Sequence, residues 1–222
     1  MTRDDIPAAA DSPANASQAS RASQASPASQ ASKGDRTRKR LLDAAAAEVA
    51  RHGVAGTSIN AIAAAAGLKT GSVYFHFESR DRLVEAMLEE GLLASLAFLD
   101  SALAAVPENA SAATRLGAAI RAHATAVHEL SNYTVAVLGP SFPRDAAGAV
   151  ARKLRRNYVS RWTELVTEAQ GAGVLTRDAD PRLLRDLILG ALNAVSLAGR
   201  PADDVALALQ SLLGLGGGKR KT

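Results

Sequence analysis

Thr57-Ser-Ile-Asn-Ala-Ile-Ala-Ala-Ala-Ala-Gly67-Leu-Lys-Thr-Gly-Ser-Val-Tyr-Phe-His-Phe77 is the stretch whose reading decides the fold. Thr57 or Ser58 offers a side-chain oxygen to the N-terminus of a short helix carrying Ile59, Ile62, Ala63 and Ala66, which Gly67 stops. A second short helix is predicted over about Thr70 to Phe75. Ala63 is small enough for the two helices to approach closely, and Gly67 permits a tight turn between them. Ile62, Leu68 and Val73 then fill the angle from inside. Lys69, Thr70, Gly71, Ser72 and Tyr74 are left on or near the exposed start of the second helix. Backbone amides and small polar groups on such a helix start suit entry into the major groove of DNA, as in a helix-turn-helix.

The surrounding charge agrees with that reading. Between Lys33 and Arg82 there are nine Lys/Arg and five Asp/Glu, a surplus of +4. The whole chain is also +4, so basic and acidic residues elsewhere cancel. A localised basic segment points to a polyanionic partner, because phosphate neutralisation releases counterions. Any one of these charges taken alone reads more simply as a solvated surface group.

Outward from this stretch the pattern is helical almost throughout. A first helix is predicted from about Arg36 to His52, with Leu42, Ala45, Ala46 and Val49 as its apolar stripe and Gly53 beyond its end. Ser79 and Asp81 open a long helix to about Ala105, with Leu83, Met87, Ala94 and Phe98 along one side. After a loop at Pro107–Ala110, another helix to about Leu130 carries Leu116, Ile120, His123 and Val127. Gly139-Pro140-Ser141-Phe142-Pro143 breaks the chain before a helix to about Gln170 with the stripe Leu154, Tyr158, Trp162, Leu165 and Ala169. Asp180-Pro181 starts a helix with Leu184, Ile188, Ala191 and Val195, and Pro201 starts the last. The expected fold is all-α. Residues 1–34, with Ala-Ser-Gln-Ala-Ser three times over, lack the apolar content to order themselves and are expected to be a disordered arm. Residues 35–80 form the helix-turn-helix unit, 81–215 a larger helical domain, and 216–222 a basic tail.

Gly53, Thr57, Ile62-Ala63, Ala66-Gly67, Gly71-Ser72-Val73-Tyr74, Phe77 and Ser79-Arg80-Asp81-Arg82-Leu83 together resemble the TetR family of one-component transcriptional repressors. The detailed match runs from about Thr37 to Leu88. The resemblance implies that Thr57, Tyr74 and Arg80 anchor phosphates and that Gly71 and Ser72 lie closest to the bases, flanked by Lys69 and Thr70. It places His76 near phosphate. Phe75 and Phe77 are expected in the core. Lys69 and Thr70 depart from residues frequent in the family, so base preference does not carry over. The resemblance further implies a homodimer on double-stranded, pseudo-palindromic operator DNA, released by a small, mostly apolar effector. Gly190, Ala191 and Ala194 allow close helix packing, and the last helix is apolar on more than one face, which suits a four-helix dimer interface.

Phe98, His123, Val127, Tyr158, Trp162 and Asn193 are the candidate lining of the effector cavity, with His123 or Asn193 fixing a polar end. The stretch from Tyr158 to Asn193 is similar to relatives that sense acyl-CoA. The plainer reading of these residues is core packing: an aromatic stripe at helical spacing usually is core, and a lone apolar-face His is more often a satisfied core residue than a ligand. Catalysis is not expected, since no nucleophile–base pair, carboxylate pair or dinucleotide fingerprint is present. A helical interaction module that ignores DNA fits the long helices but leaves the basic segment unexplained. No cofactor or metal site is expected; the chain has no cysteine, which suits a reducing cytoplasm. No apolar run reaches membrane-spanning length, and no secretion signal opens the chain, so a cytoplasmic protein without membrane contact is expected.

Overall fold

The computed structural model describes residues 33–137 and 148–215. The low-complexity repeat, the break at Gly139–Pro143 and the basic tail lie outside the described residues. Among those described there are nine helices and no strand: α1 (Lys33–Gly56), α2 (Ile59–Ala65), α3 (Thr70–Tyr74), α4 (Arg80–Ala104), α5 (Ala112–Glu129), α6 (Ser131–Val137), α7 (Ala149–Gly171), α8 (Pro181–Leu197) and α9 (Ala202–Leu212). Lys33 and Gly34, assigned above to the arm, form the first turn of α1 instead.

Local chemistry sets the ends. Gly53 takes φ 69° and ψ 170°, breaking the regular helix where the sequence placed its stop. Gly67, at φ 63°, makes the α2–α3 turn in a left-handed conformation that side chains with a Cβ disfavour. Ser58, Ser79 and Ser111 cap α2, α4 and α5, each hydroxyl accepting an N–H three residues on. α6 was not foreseen. It follows α5 after the single residue Leu130 and is only seven residues long, too short for a periodic stripe.

Two apolar cores organise the molecule. The first joins Leu41, Leu42, Ile62, Val73, Phe77, Leu83, Met87 and Leu92 with Tyr133, Val137 and Ala151, so α6, packed on α1 and α4, and the start of α7, packed on α4, share the core of the DNA-reading helices. The second gathers Leu96, Leu99, Leu116, Ile120, Tyr158, Trp162, Leu165, Ile188 and Leu192 with Val205. Leu154 packs against both. α4 supplies residues to both cores, and its buried face drifts along its length. Leu83 and Met87 are buried as expected, but further on Leu92, Ser95, Leu96 and Leu99 turn inward, leaving Ala94 and Phe98 only half-buried. On α8, likewise, Ile188 and Leu192 are buried while Ala191 and Val195 are exposed.

α4 and α6 meet at Gly91. A Cβ there would lie 2.9 Å from Tyr133 Cδ1 and 3.0 Å from Tyr133 Cβ. The Tyr133 hydroxyl donates to Asp43 Oδ1 of α1 at 2.8 Å, and the Lys39 ammonium sits 5.1 Å from the centre of its ring. Tyr133 thereby ties α6 to both α1 and α4. Its phenol is pushed well above the ordinary tyrosine range, by burial first and by the Asp43 carboxylate second.

Candidate nucleic-acid interface and the polar core behind it

α2 and α3 are too short to hold a fixed angle by themselves, and the structure braces them from outside. Arg40 of α1 donates to the carbonyl of Ala66 at 2.5 Å, satisfying the C-terminal end of α2 beside the Gly67 turn. Arg80 donates through Nε to the Thr57 carbonyl at 2.7 Å and through Nη2 to the Val54 carbonyl. Its Nη1 faces Asp81 Oδ1 at 2.9 Å. The Thr57 hydroxyl donates to the Gly53 carbonyl at 2.8 Å, and the residue is buried. The Arg38 guanidinium lies 4.9 Å from the centre of the Phe77 ring. Thr57 and Arg80, for which the family resemblance implied phosphate contacts, thus direct their hydrogen bonds inward, closing the end of α1 onto the starts of α2 and α4.

What remains outside is the face of α3. Lys69 is exposed at the helix N-cap and its side chain makes no capping bond. Gly71 is exposed with nothing within 4 Å of a built Cβ. Ser72 and His76 are half-buried, and Tyr74 is 57% exposed. Thr70 donates to Asn60 Oδ1 at 2.9 Å, which links the start of α3 to α2 and adds Asn60 to this edge. Phe75 corrects the expectation that it is core: it is 93% exposed. α3 ends at Tyr74, so Phe75 is the C-cap residue and turns outward, while Phe77 returns to the core. The exposed surface therefore presents an ammonium, a phenol and a bare aromatic ring around a glycine-smoothed helix start. Backbone approaches closely at such a start, and aromatic and basic groups flank it.

Behind this interface, four of the six proposed cavity residues come together. His123 of α5 is within 2.6 Å of the Tyr158 hydroxyl through Nδ1 and 3.0 Å of Asn193 Oδ1 through Nε2. Trp162 stands edge-on to the imidazole with ring centres 5.6 Å apart. Burial lowers the His123 pKa to about 4, against the upward pull of the Asn193 hydrogen bond, so the ring is neutral near pH 7. A neutral imidazole has one donor and one acceptor. With the Asn193 oxygen accepting from Nε2–H, Tyr158 donates to Nδ1. The Trp162 Nε1–H, also buried, makes no hydrogen bond. Val127 is buried on the same helix as His123, whereas Phe98 is half-buried on α4. Three helices, α5, α7 and α8, are therefore pinned by one side chain. No group of three or more His, Asp or Glu among the described residues is placed to hold a metal ion. No described helix is long and apolar enough to cross a membrane.

The far side of the molecule is apolar and open. Leu183, Leu187 and Val195 of α8, with Leu207 and Leu212 of α9, are exposed. Between the two helices lies a groove of about 210 Å³ lined by Ala191, Val195, Leu209 and Leu212 among others.

Comparison with known proteins fits this division. The family model for bacterial regulatory proteins of the tetR family matches residues 41–87, and that for the tetracyclin repressor-like C-terminal domain matches residues 109–197. An Escherichia coli K12 protein, "Probable acrEF/envCD operon repressor", is 42% identical over 52 residues, which span 23% of this chain and 24% of that protein. The chain thus matches about a quarter of the length of this curated relative. The ketosteroid transcriptional regulator KstR2 of Mycobacterium tuberculosis superposes with a TM-score of 0.66 at 24% identity, over 81% of this chain and 93% of that one. The regulator FadR of Bacillus subtilis, in complex with stearoyl-CoA, gives 0.57 at 19% identity over 81% and 98%. With a helix-turn-helix and a C-terminal helical domain that each match their family model, the chain belongs to the TetR family of bacterial transcription regulators.

Proposed function

We propose that this protein is a repressor that binds a pseudo-palindromic operator as a homodimer and leaves it when a small, mostly apolar effector binds. Residues 35–80 read DNA, and residues 81–215 bind the effector and pair with the second subunit. The observation that carries this reading is the α3 face: Gly71 and Tyr74, with the cap residues Lys69 and Phe75, stand exposed on a five-residue helix held by buried Val73 and by the Thr70–Asn60 bond to α2, whose own ends are braced by Arg40, Thr57 and Arg80. A rigidly held, exposed helix start among surplus positive charge is what major-groove reading requires.

The open apolar surface of α8 and α9 supports the dimer. Five large hydrophobic side chains exposed on two adjacent helices form the kind of patch that a second copy of the same surface covers. Two α3 helices would then meet successive major grooves about 34–36 Å apart, or a multiple of that distance.

For the effector, the His123–Tyr158–Asn193 group is the polar element within an otherwise apolar core, and Val127 and Trp162 border it. The likeness to FadR, a protein held with stearoyl-CoA, supports a fatty acid or its CoA thioester as the effector class. An effector that trades hydrogen bonds with His123 separates α5, α7 and α8. α4 runs from that core to Ser79 beside α3, and Tyr133 couples it to α1. The effector acts only through tighter binding to the conformer that misplaces α3. A cytoplasmic location follows from this role.

The test is fluorescence anisotropy on DNA upstream of the protein's own gene, with light scattering for mass and a screen of fatty acids and CoA thioesters for release. Specific binding by a dimer, reversed by a compound whose effect is lost in Val127→Trp, is the expected result. A stable monomer at micromolar concentration that binds DNA without sequence preference would overturn the reading.

A further inference from the structure

Two residues at the edge of α3 are left unexplained by the fold. Gly71 is not among the glycines with a positive φ, and nothing lies within 4 Å of a Cβ built on it. Neither its conformation nor the space inside the protein calls for glycine, and alanine would favour the helix more. Phe75 is 93% exposed, the most exposed large hydrophobic side chain among the described residues. A phenyl ring left in water contributes nothing to the folded chain by burial.

The two residues belong to one face. Phe75, the C-cap of α3, keeps a right-handed helical backbone (φ −66°, ψ −27°), so positions 71 and 75 lie one turn apart on the same side. A helical side chain covers the turn before its own Cα, and for Phe75 that turn presents the bare backbone of Gly71. The result is a notch with an aromatic ring as its wall and a glycine as its floor. Thr70 does not fill it, because its hydroxyl is turned to Asn60 Oδ1 at 2.9 Å. Tyr74 carries a hydroxyl that can donate to a phosphate. Phe75 has no polar side-chain atom with which to hold a phosphate or pair with a base edge, so what it recognises is apolar. On the base edges of the major groove the apolar group is the C5-methyl of thymine. A floor without a Cβ lets that methyl come close to the backbone.

We propose that Phe75 and Gly71 together receive the C5-methyl group of a thymine in each half of the operator, which makes Phe75 a specificity-determining residue. This rests on the DNA-reading role of α3 and on the dimer set out above, and goes beyond them in naming the group that is read.

The experiment selects a duplex from a random-sequence pool with the full chain, then remakes it with deoxyuridine for thymidine at one position at a time. Each replacement removes a methyl and leaves base pairing and phosphates as they were. For the native protein, one symmetry-related pair of thymines should be sensitive, by about fourfold for each methyl, the worth of burying one such group. Phe75→Ala should lose roughly tenfold on the thymine duplex, having lost both contacts, and should respond less than about twofold to deoxyuridine at those positions. Gly71→Ala should melt no lower than the native protein and yet bind the thymine duplex at least about fourfold more weakly. Specific binding in which no thymine methyl matters overturns the proposal and leaves the DNA-reading role standing. A Phe75→Ala variant as sensitive to deoxyuridine as the native protein overturns it too, and assigns the methyl to another side chain such as Tyr74. Native-like binding by Gly71→Ala, or a melting temperature lowered by Phe75→Ala, has the same consequence. Selection that recovers no preferred sequence would overturn the DNA-reading role itself, and this proposal with it.

Discussion

Gly91→Ala opposes two effects of known size. In a solvent-exposed helix interior, replacing glycine by alanine stabilises by about 1 kcal/mol. At position 91 the added methyl would lie 2.9 Å from Tyr133 Cδ1, 3.0 Å from Tyr133 Cβ and 3.2 Å from Val137 Cγ1. Carbon atoms pack at roughly 3.5–4.0 Å, so α6 must retreat by about half an ångström or more. The ring cannot swing aside to absorb this, because one of the close atoms is the Cβ next to the backbone. Nor is retreat free: the Tyr133 hydroxyl is held by Asp43 at 2.8 Å. Overpacking of this kind costs about 1–3 kcal/mol, more than the helix gains. The net expectation is a loss of up to about 2 kcal/mol, read by urea unfolding followed through circular dichroism and through the single tryptophan, Trp162. Combining the change with Tyr133→Gly, which removes both close atoms of Tyr133, should make Gly91→Ala far less costly, giving a coupling of about 1–2 kcal/mol. Because α6 also touches α1, the single variant should weaken operator binding as well. If Gly91→Ala by itself stabilised the protein by about 1 kcal/mol, the argument that α6 is wedged against α4 and α1 would be refuted.

Arg80→Ala should lower stability by about 2 kcal/mol through two lost carbonyl contacts while leaving the salt slope of operator binding nearly unchanged. A slope smaller by about one with an unaltered melting temperature would place Arg80 on phosphate after all. Phe75→Ala should leave stability within about 0.5 kcal/mol yet weaken specific operator binding roughly tenfold, as anisotropy titration reads; a destabilised variant would mean that the ring is packed. The His123 pKa, lowered to about 4 from 6.5, makes the unfolded chain bind a proton that the folded one refuses. Stability from this residue is whole above about pH 6.5 and is lost as pH falls toward 4, about 3 kcal/mol in all. Unfolding at a series of pH values should show this slope in the native protein and not in His123→Gln. Gly190→Ala separates the two quaternary states: nothing lies within 4 Å of a built Cβ in the single chain, so a monomer gains about 1 kcal/mol, whereas a dimer that brings helices together there dissociates at higher concentration, as light scattering measures.

Long, regularly striped helices were legible in the sequence because burial there is set by period alone. Leu116, Ile120, His123 and Val127 are buried together, as are Tyr158, Trp162, Leu165 and Ala169. Where a helix changes partners midway, period is not enough. α4 leaves the first core for the second, and its inward face rotates from Leu83 and Met87 to Leu92, Leu96 and Leu99. Phe75 and Phe77 show the same limit on a small scale, since which ring is buried depends on α3 ending at Tyr74 rather than one residue later. Thr57 and Arg80 carry the residue types of phosphate ligands, but types do not reveal that each also bonds a backbone carbonyl beside the Gly53 break. His123 and Tyr158 fall on apolar stripes and Asn193 outside its helix's stripe; their mutual hydrogen bonds join residues 35 and 70 positions apart, which no local pattern encodes.

Tyr133, Ala136, Val137 and Ala151 belong to the same core as Leu41, Ile62 and Val73, and this bears on attempts to exchange DNA-reading modules among relatives. A chimera joined just after Arg80 would seat foreign helices on a floor still made by the host's α6 and first turn of α7. It would inherit Tyr133 without Asp43, and a ring shaped for the host's Gly91 beneath helices that never met it. The transplantable unit is not a contiguous stretch of chain: it is the N-terminal helices with the first half of α4 and a patch of four residues borrowed from downstream. Operator specificity and effector response are thus separable by mutation at α3, yet they are not separable by a single cut.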